Sequence, residues 1–122
     1  MSKSVLIIED EPFIIEALSF LLEREGIDFD CSTDGEGCLD IIESRRPDLV
    51  ILDMMLPQMN GMEVLQSLRN TEAFKALPVL MLTAKGQKKD RKAAEDAGVS
   101  LFMTKPFAND ELIANVHRLL DE

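Results

Sequence analysis

A chain of 122 residues with a formal net charge of -10 has room for one folded domain and repels nucleic-acid backbones and anionic membrane surfaces. Its 46% hydrophobic and 30% charged residues are those of a globular protein, and no apolar run approaches the length of a membrane span. Two cysteines without CxxC spacing, and an N-terminal apolar run cut short by Glu9, point away from a disulfide scaffold or a secretory segment and predict a reduced, cytoplasmic setting.

Strand-like and helix-like segments alternate along the chain. Val5–Ile8 is a short apolar run, as for a strand buried on both faces. Pro12 suits the first turn of a helix whose apolar positions are Ile14, Ile15, Leu18, Leu21 and Leu22, and Gly26 closes it. Ile27–Cys31 reads as a weaker strand towards an edge, and Asp34–Arg45 as a helix with Leu39, Ile41 and Ile42 inward. Pro47 precedes a third strand, Asp48–Leu52. The Pro and Asn-Gly of Leu56–Gly61 are loop chemistry, and a helix over Met62–Arg69 follows. Pro78 opens the strand Val79–Leu82, and Gly86 marks a loop before a charged helix over Gln87–Ala97, capped by Gly98. Val99–Met103 is the fifth strand. A last helix begins near Asn109, with Asp110 and Glu111 in its first turn and Leu112, Ile113, Val116, Leu119 and Leu120 as its buried stripe.

Strands alternating with helices, with no linker or repeat, predict a parallel sheet covered by helices on both faces. Right-handed crossovers leave few topologies, and the expected one is a flavodoxin-like, doubly wound (βα)5 fold with strand order 2-1-3-4-5. Its switch point falls between the first and third strands, where ligands bind at the carboxyl edge.

That edge collects Glu9 and Asp10 after the first strand, Asp53 after the third, Thr83 after the fourth and Lys105 after the fifth. Carboxylates brought within about 4 Å repel by roughly 4 kcal/mol at an effective dielectric near 20, so a cation is expected among them. Oxygen ligands without His or Cys suit Mg²⁺ (with Mn²⁺ able to replace it) rather than zinc. A metal site alone does not call for Lys105 or Thr83, whereas a transferring phosphoryl group does, because its oxygens need an ammonium, a hydroxyl and a metal. Asp53, ending the central strand, is the candidate nucleophile that forms an acyl phosphate.

The segments VLIIEDEP, LVILDMMLPQMNGMEV, PVLMLTA and LFMTKPF resemble, in order, the receiver domain of bacterial two-component response regulators, and the likeness runs from about Ser4 to Leu120. The resemblance implies one receiver domain over residues 1–122, a signalling switch rather than a turnover enzyme. It implies that Asp53 accepts phosphate from a histidine kinase or a histidine phosphotransfer protein. Asp10, Asp53 and the backbone carbonyl of Met55 would bind Mg²⁺, with Glu9 acting through metal-bound water. Lys105 would pair with the phosphoryl oxygens, Thr83 would turn its hydroxyl to them, and Phe102 would be the aromatic that swings inward. The Lys105-Pro106 bond is expected to be cis. Met55 and Lys85 border the path of the hydrolysing water, and neither can orient it, so a long-lived phosphoryl group is expected. The fourth helix, fifth strand and fifth helix would form the face that binds a downstream target protein or a second phosphorylated copy, with no direct nucleic-acid or membrane contact.

Close variants are a phosphorelay shuttle and a receiver cut from a larger regulator. Since no DNA-binding or enzyme segment follows Leu120, output is expected through protein contacts. A Mg²⁺-dependent phosphatase of the haloacid-dehalogenase type is the alternative from another class, but it wants a second acid where Met55 stands, and a larger core. A flavin module would meet phosphate repulsion at Glu9-Asp10-Glu11. His117 reads as a surface histidine, Phe13 and Phe20 as packing or partner contacts on the first helix, the methionines Met54, Met59, Met62, Met81 and Met103 as fillers, and the run Lys85, Lys88, Lys89, Arg91, Lys92 as a solvated helix face.

Overall fold

Successive residues of a strand face opposite sides of a sheet, and here the two sets build two cores. On one side Val5, Ile7, Leu49, Ile51, Leu80 and Leu82 pack with Leu18, Leu21, Leu22, Leu112 and Val116. On the other, Leu6, Ile8, Val50, Leu52, Val79 and Met81 pack with Ile42, Val64, Leu65, Leu68 and Ala94. Strands buried on both faces explain why the sequence shows continuous apolar runs and no alternation.

The structure, a computed structural model, describes residues 3–33, 37–56, 60–84 and 88–121, with the backbone alone at 88–90. The elements in chain order are β1 (Ser4–Ile8), α1 (Pro12–Arg24), β2 (Asp28–Ser32), α2 (Cys38–Arg45), β3 (Leu49–Asp53), α3 (Gly61–Arg69), β4 (Val79–Ala84), α4 (Lys88–Asp96), β5 (Leu101–Lys105) and α5 (Asn109–Leu120). All strand pairs are parallel and the order is β2-β1-β3-β4-β5, as expected. Helices α1 and α5 cover one face, and α2, α3 and α4 the other. Among the described residues no helix is long and apolar enough to cross a membrane. Cys31 and Cys38 are not joined in a disulfide.

Strands β2 and β5 begin later than the sequence suggests, for one physical reason, and β3 begins one residue late at Leu49. Gly26, at φ 71°, and Gly98, at φ 93°, take left-handed conformations that end α1 and α4. Ile27 N–H then donates to the Leu22 carbonyl at 3.0 Å, and Val99 N–H to the Ala94 carbonyl at 3.0 Å. The residue after each glycine thus belongs to the helix cap, so β2 starts at Asp28 and β5 at Leu101. At the other end β4 runs past Thr83 and β5 through Lys105, so both polar residues are held by the ladder itself. The predicted start of α2 at Asp34 lies outside the described residues. The Lys105-Pro106 bond is cis. His117 Nε2 lies 2.8 Å from Glu25 Oε1 and ties α5 to the end of α1. That contact holds the Glu25 carboxyl below its usual value.

Candidate functional site

The pocket is assembled by backbone register. Ile8 pairs with Leu52 across β1 and β3, so Glu9 and Asp53 leave neighbouring strand tips at the same level. Asp53 pairs with Leu82, which puts Thr83 one residue further along the same edge, and Ala84 pairs with Lys105 on β5. One oxygen from each of Glu9, Asp10 and Asp53 lies within 4.8 Å of the other two. Asp10, Glu11, Asp53, Met55 and Lys105 line an open cleft of ≈ 760 Å³.

Glu9 is only 1% exposed and Asp53 5%, whereas Asp10 is open to solvent. Both oxygens of Glu9 are engaged. Its Oε2 accepts from the N–H groups of Asp10 at 3.1 Å and Glu11 at 3.3 Å, and its Oε1 lies 2.7 Å from Lys105 Nζ. Asp53 Oδ1 accepts from Met55 N–H at 3.3 Å and lies 3.4 Å from the same ammonium. Glu11 Oε2 stands at 3.9 Å from it, near the cleft mouth. Three carboxylates thus share one lysine.

The electrostatics follow from burial and crowding. Loss of solvent is the main cause that pushes the Glu9 carboxyl up to about 7; the Lys105 ammonium works against this and Asp53 adds to it. Burial also disfavours the Lys105 ammonium, but Glu9 and Asp53 more than offset it, so lysine stays charged beyond its ordinary range. The donor set is all oxygen and more negative than one ammonium can balance, which fits a small divalent cation such as Mg²⁺. Glu9, Asp10 and Asp53 are the carboxylates grouped closely enough to hold such an ion.

Thr83 is buried, and its hydroxyl donates to the thioether of Met54 at 3.7 Å, a weak bond. Phe102 is half-buried on β5 against the α2–α3–α4 core, with the Arg91 guanidinium 5.9 Å from its ring centre. Met55 stands on the cleft rim with its side chain 68% exposed. Lys85 lies outside the described residues.

Sequence reasoning named the acids and the lysine but missed three features. It did not foresee that Glu9 is the nearest carboxylate to Lys105, nor that Glu11 joins the lysine's surroundings. It also read Gly61 as loop chemistry, whereas Gly61 is the first residue of α3 and lies against the strand tip. A Cβ there would stand 2.5 Å from the Asp53 carbonyl oxygen and 2.8 Å from Met54 Cα. Gly61 N–H donates to the Met54 carbonyl at 2.7 Å, and the Asn60 side chain caps the helix by accepting from Glu63 N–H at 3.0 Å. The start of α3 thereby fixes the backbone that presents Asp53.

Fold and site together define a doubly wound α/β domain with an acid pocket facing a lysine at its switch point. The family model described as "Response regulator receiver domain" matches residues 5–117, and the chain belongs to that family. It is 40% identical over 120 residues to the alkaline phosphatase synthesis transcriptional regulatory protein PhoP of Bacillus subtilis (strain 168), a match covering 98% of this chain and 49% of PhoP. The chain therefore spans about half the length of that curated relative. A response regulator from Chloroflexus aurantiacus J-10-fl superposes with a TM-score of 0.95 at 31% identity, covering 100% of both chains. The receiver domain of a sensor histidine kinase from Pseudomonas aeruginosa PAO1, solved with a magnesium ion coordinated in its active site cleft, gives a TM-score of 0.90 at 25% identity, again over 100% of both chains. Family membership makes this a phosphoryl-accepting signalling domain and sets aside the haloacid-dehalogenase alternative.

Proposed function

We propose that the domain is switched by transfer of a phosphoryl group to Asp53 from a phosphohistidine on a kinase or phosphotransfer protein. The observation that carries this reading is the meeting of Asp53 Oδ1 with Lys105 Nζ at 3.4 Å inside a cluster of three carboxylates. In the transfer, a carboxylate oxygen of Asp53 attacks phosphorus, the P–N bond to imidazole breaks, and the leaving imidazole takes up a proton. Lys105 lies close enough to move from Glu9 to a phosphoryl oxygen and balance its charge. Asp10, Asp53 and the Met55 carbonyl would hold Mg²⁺, with Glu9 behind them through water; the ion would supply the positive charge that lets an anionic phosphoryl group enter an acidic cleft. The magnesium described for the Pseudomonas aeruginosa relative supports this assignment.

The switch works through contacts that are cheap to exchange. The Thr83 hydroxyl gives up only a weak thioether partner when it turns to a phosphoryl oxygen, and Phe102 gives up a cation-π contact worth roughly 0.5–1 kcal/mol at an exposed site. Phosphorylation adds about -1.5 to -2 charge and three acceptor oxygens, a sufficient bias for an equilibrium with a gap of a few kcal/mol. Phe102 then moves inward and reshapes the face formed by α4, β5 and α5, where a target protein or a second copy docks. Beryllofluoride, which mimics a phosphoryl group, should shift amide NMR signals of α4, β5 and α5 beyond those next to the pocket. A response confined to the pocket residues would count against this output face. Exposed Phe13 and Phe20 on α1, the helix that follows Asp10 and Glu11, suit the phosphodonor side.

The phosphoryl lifetime is set at the rim. Met55 carries a thioether and Lys85 an ammonium, and neither is the carboxylate or carboxamide that would orient an attacking water, so decay is slow. Introducing Met55→Asn with Lys85→Glu should speed loss of the phosphoryl group severalfold, read by intact mass against time. Equal decay in the two proteins would refute this role.

A further inference from the structure

Among the described methionines, Met55 is the exposed one, and it lines the mouth of the reactive cleft. Met55 is 68% exposed, whereas Met54, Met81 and Met103 are buried in the core and Met62 is partly buried against it. Met55 also lines the cleft with Asp53 and Lys105, and its N–H is bonded to Asp53 Oδ1 at 3.3 Å. Thioether oxidation follows exposure. We propose that Met55 is an oxidation site through which peroxide shortens the life of the phosphoryl group on Asp53; this rests on the phosphoacceptor reading above.

The chemistry needs only hydrogen peroxide. A sulfur lone pair attacks one peroxide oxygen, the O–O bond breaks as an S–O bond forms, and the departing hydroxide takes a proton and leaves as water. Sulfur is oxidised by two electrons and the peroxide reduced by two. The product replaces a poor acceptor with a polar S–O oxygen on the same flexible side chain. That oxygen can hold a water at the rim, the function the thioether cannot perform. Oxidation therefore acts on the hydrolysis step and leaves the acids and Lys105 chemically unchanged. Exposed Cys31 lies on β2, at the sheet edge away from this cleft, so its oxidation serves as an internal contrast.

The test uses the full chain and Met55→Leu, each with and without a dilute peroxide treatment, followed by peptide mapping and by phosphorylation with acetyl phosphate and Mg²⁺. Mapping should show Met55 converted ahead of Met54, Met81 and Met103. The phosphoryl group should decay severalfold faster in peroxide-treated wild type than in the untreated protein, while peroxide leaves the decay rate of Met55→Leu where it was. The proposal is overturned if a buried methionine is converted as fast as Met55, if complete conversion of Met55 leaves the decay rate unchanged, or if Met55→Leu is accelerated equally. A wild type that takes up no phosphoryl group before any peroxide overturns the phosphoacceptor reading itself, and the mapping separates that failure from one of Met55 reactivity.

Discussion

Replacing Gly61 with Val should destabilise the fold by about 1–3 kcal/mol or more, the cost of forcing extra atoms into a well-packed site. The obstruction is backbone: the new Cβ would meet the Asp53 carbonyl oxygen at 2.5 Å, Met54 Cα at 2.8 Å and the Asp53 carbonyl carbon at 3.1 Å. No rotamer change relieves such a clash, so either α3 moves off the sheet or the tip of β3 bends. Both displace Asp53, so phosphoryl uptake should fall along with stability. Gly37→Ala is the control, because a Cβ there meets nothing within 4 Å. The chain contains no Trp and no Tyr, so urea unfolding is best followed by far-ultraviolet circular dichroism. Equal midpoints for Gly61→Val and Gly37→Ala would contradict the close approach.

Substituting Asp10 by Ala should remove the response of the protein to Mg²⁺. An ion that binds only the folded state stabilises it by about 2.7 kcal/mol at a hundred times its dissociation constant. Wild type should therefore unfold at higher temperature when Mg²⁺ is added, and Asp10→Ala should not. Without metal the variant should be no less stable than wild type, because Asp10 is exposed and adds to a cluster of like charge. The pair of results separates a metal ligand from a structural residue, whose loss would lower stability in both conditions. A variant that keeps the full Mg²⁺ shift would show that Asp10 is not a ligand.

Much of the fold was legible because every strand but β2 is a short apolar run ending in or followed by a polar residue, and because Gly26 and Gly98 mark helix ends. The boundaries of β2 and β5 were not, since Ile27 and Val99 are apolar and strand-like in sequence but are claimed by the caps those glycines create. The participants of the pocket were legible from strand order. Their pairing was not: Lys105 comes from the edge strand β5 and crosses towards Glu9, just past the end of β1, a contact decided by side-chain reach rather than by neighbouring strands. Gly61 was hidden for a different reason, because Asn-Gly is an ordinary turn signal and nothing in the sequence states how near α3 begins to β3.

These features bear on a single chemical claim, that Asp53 takes a phosphoryl group opposite Lys105. Intact mass after incubation with acetyl phosphate and Mg²⁺ tests it most directly, for wild type, for Asp53→Asn, and for wild type with the metal chelated. The structure predicts one phosphoryl group on wild type and none in the other two samples. Undiminished uptake by Asp53→Asn, or a wild type that never gains the added mass, would contradict it.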